Sequence, residues 1–157
     1  MDEETKFLRT ILIQDWEAYD SFIRQFEAQN KGTPVAIIGY AFFVAVQRRF
    51  GQSLDSGDVL RFVADARANL SEGHELPAKE SEALIFAMLG MDIAGAEETV
   101  ENLDIGEMAE IQAQLLFRLM EDAQLSEEQL DAFLLEAEGL LHEAHPEYGE
   151  QPAQSET

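Results

Sequence analysis

Thr33-Pro34-Val35-Ala36-Ile37-Ile38-Gly39-Tyr40-Ala41-Phe42-Phe43-Val44-Ala45-Val46-Gln47-Arg48-Arg49-Phe50-Gly51 is the stretch on which the fold turns. Residues 35–46 carry no charge, and apolar side chains fall on every side of a helix drawn through them. A helix without a polar face has to be covered all round. The run is too short to span a bilayer, which takes about 20 apolar residues, so it reads as the buried central helix of an all-α protein. Thr33 offers an N-cap hydroxyl, and Pro34 suits a first helical turn, where a missing N–H is no loss. Gly51 supplies a stop, and Arg48 and Arg49 fall at the negative end of the helix dipole. If the run were not covered within one chain it would serve as an interface between copies, so a homo-oligomer stays open.

Upstream, residues 3–29 place Phe7, Leu8, Ile11, Leu12, Trp16, Tyr19, Phe22, Ile23 and Phe26 at spacings of one, three and four, which predicts one amphipathic helix. It should close near Asn30 or Gly32 through a left-handed residue. Downstream, Asp55 or Ser56 caps a helix over 58–70, residues 71–75 read as its exit loop, and Pro77 opens a helix that Gly90 closes. Residues 94–103 offer a short acidic helix weakened by Gly95. Asp104 and Ser126 each stand three residues before Glu107 and Gln129, the spacing of a capping box, and apolar stripes follow both. These last two helices are expected to pair as an antiparallel hairpin. The expectation is an all-α, single-domain bundle of about six helices over residues 1–145, with residues 146–157 as a flexible acidic tail.

The 157 residues include 32 acidic and 10 basic ones, a net charge of -22. Up to Ser71 the balance is 8 basic against 10 acidic, net -2; beyond it, 2 against 22, net -20. Direct binding to nucleic acid or to anionic lipid is opposed by like charge. No cysteine is present, which excludes disulfides, thiolate metal sites and thiol nucleophiles. The start Met1-Asp2-Glu3-Glu4 is acidic where a secretory signal is basic, and the chain is expected to be cytoplasmic. An alanine-rich composition with seven Arg and three Lys looks like a high-GC coding bias, and residues 42–89 have the look of a bacterial cytoplasmic domain.

Glu107, Glu110, Glu121, Glu128, Asp131 and Glu138 line the outer faces of the last two expected helices. They are candidates for a surface that receives a basic partner protein, although solvated helix backs account for them more simply. A DNA-mimic inhibitor is a further reading of the same charge. Arg48, Arg49, Arg61 and Arg67 form a candidate basic patch.

Phosphate loops, GxGxxG and GxSxG turns, HExxH and the Glu-x-x-His pair of di-iron bundles are all missing. A noncatalytic protein-interaction or regulatory module is therefore expected over an enzyme. The alternative is a motif-less enzyme or small-molecule binder whose aromatic-lined pocket holds Trp16, Tyr19 and Tyr40, each with a polar end needing a partner. Glu138, His142 and His145, spaced four and three apart, would share one side of a continuing helix and could take a divalent ion. A fraying helix end is the simpler account, and no metal or cofactor is expected.

Overall fold

The computed structural model describes residues 1–70 and 74–147. Among them are eight α-helices and no strand: α1 Glu3–Leu12, α2 Trp16–Ala28, α3 Ala36–Phe50, α4 Ser56–Ala68, α5 Ala78–Leu89, α6 Ala96–Glu101, α7 Ile105–Ala123 and α8 Glu127–Ala144. The all-α expectation stands, and the count of about six does not. Residues 3–29 form two helices instead of one, and the weak pattern near Gly95 does condense into the short α6. Of the expected exit loop, Ser71, Glu72 and Gly73 lie outside the described residues, as do residues 148–157 of the expected tail.

The break between α1 and α2 is a Schellman closure run directly into an N-cap. Gln14 takes a left-handed backbone with φ 60°. The Gln14 N–H donates to Ile11 O at 3.2 Å and the Asp15 N–H to Thr10 O at 2.9 Å, which satisfies the carbonyls that α1 leaves unpaired. Asp15 then accepts from the Ala18 N–H and starts α2. The end of α2 repeats the device: Asn30 has φ 59°, its N–H donates to Glu27 O, and the Lys31 N–H donates to Phe26 O at 2.8 Å.

The other helix starts and stops follow their caps. Asp55 caps α4, Gly90 closes α5 with φ 67°, and Asp104 accepts from the Glu107 N–H at the head of α7. At α8, Ser126 and Gln129 complete a reciprocal capping box. The start of α3 differs from expectation. The Gly39 N–H donates to Val35 O, so Thr33 and Pro34 lead into the helix and do not begin it.

The chain divides into two compact units, Met1–Ala41 with Leu125–Thr157, and Phe42–Gln124. The dividing points fall inside α3, between Ala41 and Phe42, and between α7 and α8.

In the first unit, α1 packs on α2 and on α8. Phe7 is fully buried, with the rings of Tyr19, Phe26 and Phe22 around it at 5.3, 5.4 and 6.1 Å. Leu8, Leu134, Ala137 and Leu141 are buried in the same unit.

In the second unit, α5 packs on α4, α6 and α7. Its core includes Phe50, Val63, Leu84, Ile85, Leu115 and Leu116. Phe50 meets Phe62 edge-on at 5.5 Å. Two side chains tie backbone carbonyls here: Gln47 Nε2 donates to Met88 O and Arg67 Nε to Leu76 O, both at 2.8 Å.

The uncharged run is buried at Ile37, Ile38, Ala41, Phe42, Val44, Ala45 and Val46. It is not covered all round: Phe43 on α3 is 37% exposed, and Val35, just ahead of the helix, is 39% exposed. No described helix is long and apolar enough to cross a membrane.

Candidate functional site

The sequence-derived carboxylates divide by their surroundings. Glu107, Glu110 and Glu121 on α7 are exposed, as is Glu128 on α8. Among the described residues Glu110, Glu121 and Glu128 have no ion-pair partner. The Glu107 N–H donates to Asp104 Oδ1 at 2.7 Å, and that bond holds the Asp104 carboxyl below the usual carboxylate range. Asp131 and Glu138 are half-buried and engaged. Arg9 Nε donates to Asp131 Oδ1 at 2.7 Å, and the Asp2 N–H donates to Glu138 Oε2 at 2.8 Å.

The four arginines of the basic patch are exposed, but acids of their own unit neutralise part of it. Arg49 grips Asp58 with two hydrogen bonds, of 2.9 and 3.2 Å, and Arg61 stands 3.9 Å from Asp55. Arg67 spends its Nε on the Leu76 carbonyl. The Arg49 hydrogen bonds hold the Asp58 carboxyl down against a smaller opposing effect of burial.

This pair gives a prediction with a definite sign. A folded-state carboxyl held below its unfolded value of about 3.9 contributes stability above that value. The contribution is lost as pH falls through the folded value. Asp58→Asn should therefore lower stability at neutral pH by about 0.2–1 kcal/mol, the range for a solvent-screened pair. It should also make the loss of stability below about pH 4 shallower. Urea unfolding of both proteins at neutral pH and near pH 3 checks this, and identical differences at both would show that the pair adds nothing.

In the aromatic trio Trp16 and Tyr19 meet, while Tyr40 makes its ring contact with His145. Trp16 is 52% exposed and meets Tyr19 edge-on at 5.6 Å, while Tyr19 stacks on buried Phe7. Tyr40 meets the His145 ring edge-on at 6.2 Å. A cleft of about 110 Å³ lies in the second unit, where Lys79 and Glu82 of α5 flank apolar Phe86, Ile93 and Ala96.

The imidazole constellation is rearranged. His145 Nδ1 stands 3.5 Å from Glu147 Oε1, away from the role the spacing suggested. Glu138 and His142, one turn apart on α8, are instead joined by Asp2, the N-cap of α1. Ligand atoms of the three lie within 4.8 Å of one another, all half-buried. His142 Nε2 is 3.0 Å from Asp2 Oδ2. Thr5, fully buried, fixes the other oxygen: its N–H and hydroxyl donate to Asp2 Oδ1 at 2.9 and 2.7 Å.

Burial pushes the Asp2 carboxyl up, but Thr5 and His142 outweigh it and hold it below the usual range. Glu4 beside it is pushed up, by burial and then by the Asp2 charge. Sequence reasoning missed Asp2 because 136 residues separate it from Glu138. Its one local signal was the Asp-x-x-Thr cap.

No family model matches the chain, and no curated protein or solved structure matches it.

Proposed function

We propose that the chain is a noncatalytic interaction module whose exposed acidic faces on α7 and α8 receive a basic partner protein. The supporting observation is the state of Glu110, Glu121 and Glu128, exposed and without a cationic partner among the described residues. Acids that serve the fold are tied: Asp131 to Arg9, and Asp58 to Arg49. The free ones sit in a half of the sequence with 22 acidic and 2 basic residues, where self-repulsion opposes compactness. Complementary charge steers encounter and sets salt dependence, whereas apolar contacts are screened far less.

The test compares two variants of equal net charge. One carries Glu107→Lys, Glu110→Lys, Glu121→Lys and Glu128→Lys. The other reverses four exposed acids elsewhere, Glu17, Asp20, Glu27 and Asp65. Each reversal should shift stability by no more than about 0.5 kcal/mol, so both should keep the helical circular dichroism of the parent. The parent and the second variant should capture the same basic protein from source lysate at low salt and release it at high salt. The first should not. Equal capture by both variants would show that net charge alone is responsible, and no capture by the parent would remove the reading. Loss of nucleic-acid binding by the captured partner would make the module a DNA mimic.

A further inference from the structure

The geometry points to a divalent transition-metal site at Asp2, Glu138 and His142, distinct from the acidic face. The set is two carboxylates and an imidazole, and the imidazole selects for ions such as Zn²⁺ or Co²⁺ over the oxygen-seeking Mg²⁺ and Ca²⁺. Glu138 and His142 are four residues apart on α8, so one helix face presents both. The third donor comes from the head of α1, which packs on α8 in the same unit.

The spacing fits. Zinc bonds of about 2.0–2.1 Å at a tetrahedral angle hold neighbouring donor atoms about 3.3 Å apart. Asp2 Oδ2 and His142 Nε2 stand at 3.0 Å, so an ion needs them to part by a few tenths of an ångström. An ion would take the place of the His142–Asp2 hydrogen bond, with the neutral imidazole ligating through an unprotonated Nε2 and carrying its one proton on Nδ1.

The outer contacts are those a metal site requires. Thr5 pins Asp2 Oδ1 through its N–H and hydroxyl and leaves Oδ2 turned to His142. Glu138 is held through Oε2 by the Asp2 N–H. Glu4 adds negative charge beside the cluster, where it interacts with both Asp2 and His142. Three protein donors leave a coordination position for water, an open site instead of a closed structural one.

The test is calorimetric titration of the full chain with Zn²⁺ in physiological salt, with excess Mg²⁺ to occupy diffuse acidic sites. Co²⁺ absorption serves as a second readout of imidazole ligation. The parent, His145→Ala and Glu110→Gln should each bind one Zn²⁺ per chain with the same affinity. Glu138→Gln and His142→Ala should weaken binding more than about tenfold, the lower end of what removing even an outer partner does.

His142→Gln separates ligand from tie, because its amide can still donate to Asp2 Oδ2. It should keep the parent's melting temperature without metal yet lose the Zn²⁺ site and the Co²⁺ spectrum. Diffuse, unsaturable binding by the parent would overturn the site. So would parent-like affinity in His142→Gln, or a loss in His145→Ala as large as that in His142→Ala.

Discussion

Phe42→Ala should lower the unfolding free energy by about 3–5 kcal/mol, the usual effect of emptying a closed aromatic site. Phe43→Ala, one residue further on, should cost about 1 kcal/mol, since its site opens to solvent and leaves no sealed cavity. The two side chains are chemically identical and adjacent. Phe42 is fully buried and Phe43 is 37% exposed, because each residue turns the helix by a little over a quarter of a circle. Total stability of a domain this size is about 5–15 kcal/mol, so Phe42→Ala should also lower the melting temperature sharply. Urea unfolding of the two variants at neutral pH reads the difference directly. Equal losses would mean that the exposed edge of α3 is covered in solution, as by a second copy of the chain.

How far α3 was legible shows what the pattern carries. The uncharged run 35–46 identified a buried helix because burial follows from the absence of any polar face. The exposed edge at Val35 and Phe43 was invisible, since nothing in a run of apolar residues marks which of them the neighbours fail to cover.

Caps divided in the same way. Gly90, Asp104 and Ser126 were readable because each has a residue type suited to its backbone or hydrogen bond. Gln14 was not. Glutamine seldom takes φ near 60°, so the apolar stripe running through it gave no reason to break the helix. The carboxylates of α7 were read correctly as exposed, because i, i+3 and i+4 spacing fixes a helix face. Asp131 and Glu138 lie on outward positions by the same rule, yet are tied to Arg9 and Asp2. Those ties depend on α1 packing against α8, and no local pattern encodes a pairing across more than 120 residues.

The aromatic cluster of the first unit carries the other large effect. Phe7→Ala should destabilise by about 3–5 kcal/mol or more, because it empties a closed site and also removes ring pairs worth about 0.5–1.5 kcal/mol each beyond burial. Phe7 touches Tyr19, Phe22 and Phe26, so it is a main contact of α1 with α2, beside the hydrogen bond from Gln25 Nε2 to Glu3 Oε1. Its loss should abolish most of the near-ultraviolet circular dichroism of the tyrosine and phenylalanine rings even where helicity survives.

Trp16→Ala should cost no more than about 1 kcal/mol, since about half of the ring already faces water. Trp16 is the only tryptophan in the sequence, so its fluorescence reports on this one position. Acrylamide should quench it freely in the folded parent, with an emission maximum shifted to the red. A blue-shifted, protected emission would mean that Trp16 is enclosed, which would support the aromatic-lined pocket as a binding site and raise the expected effect of Trp16→Ala toward that of Phe7→Ala.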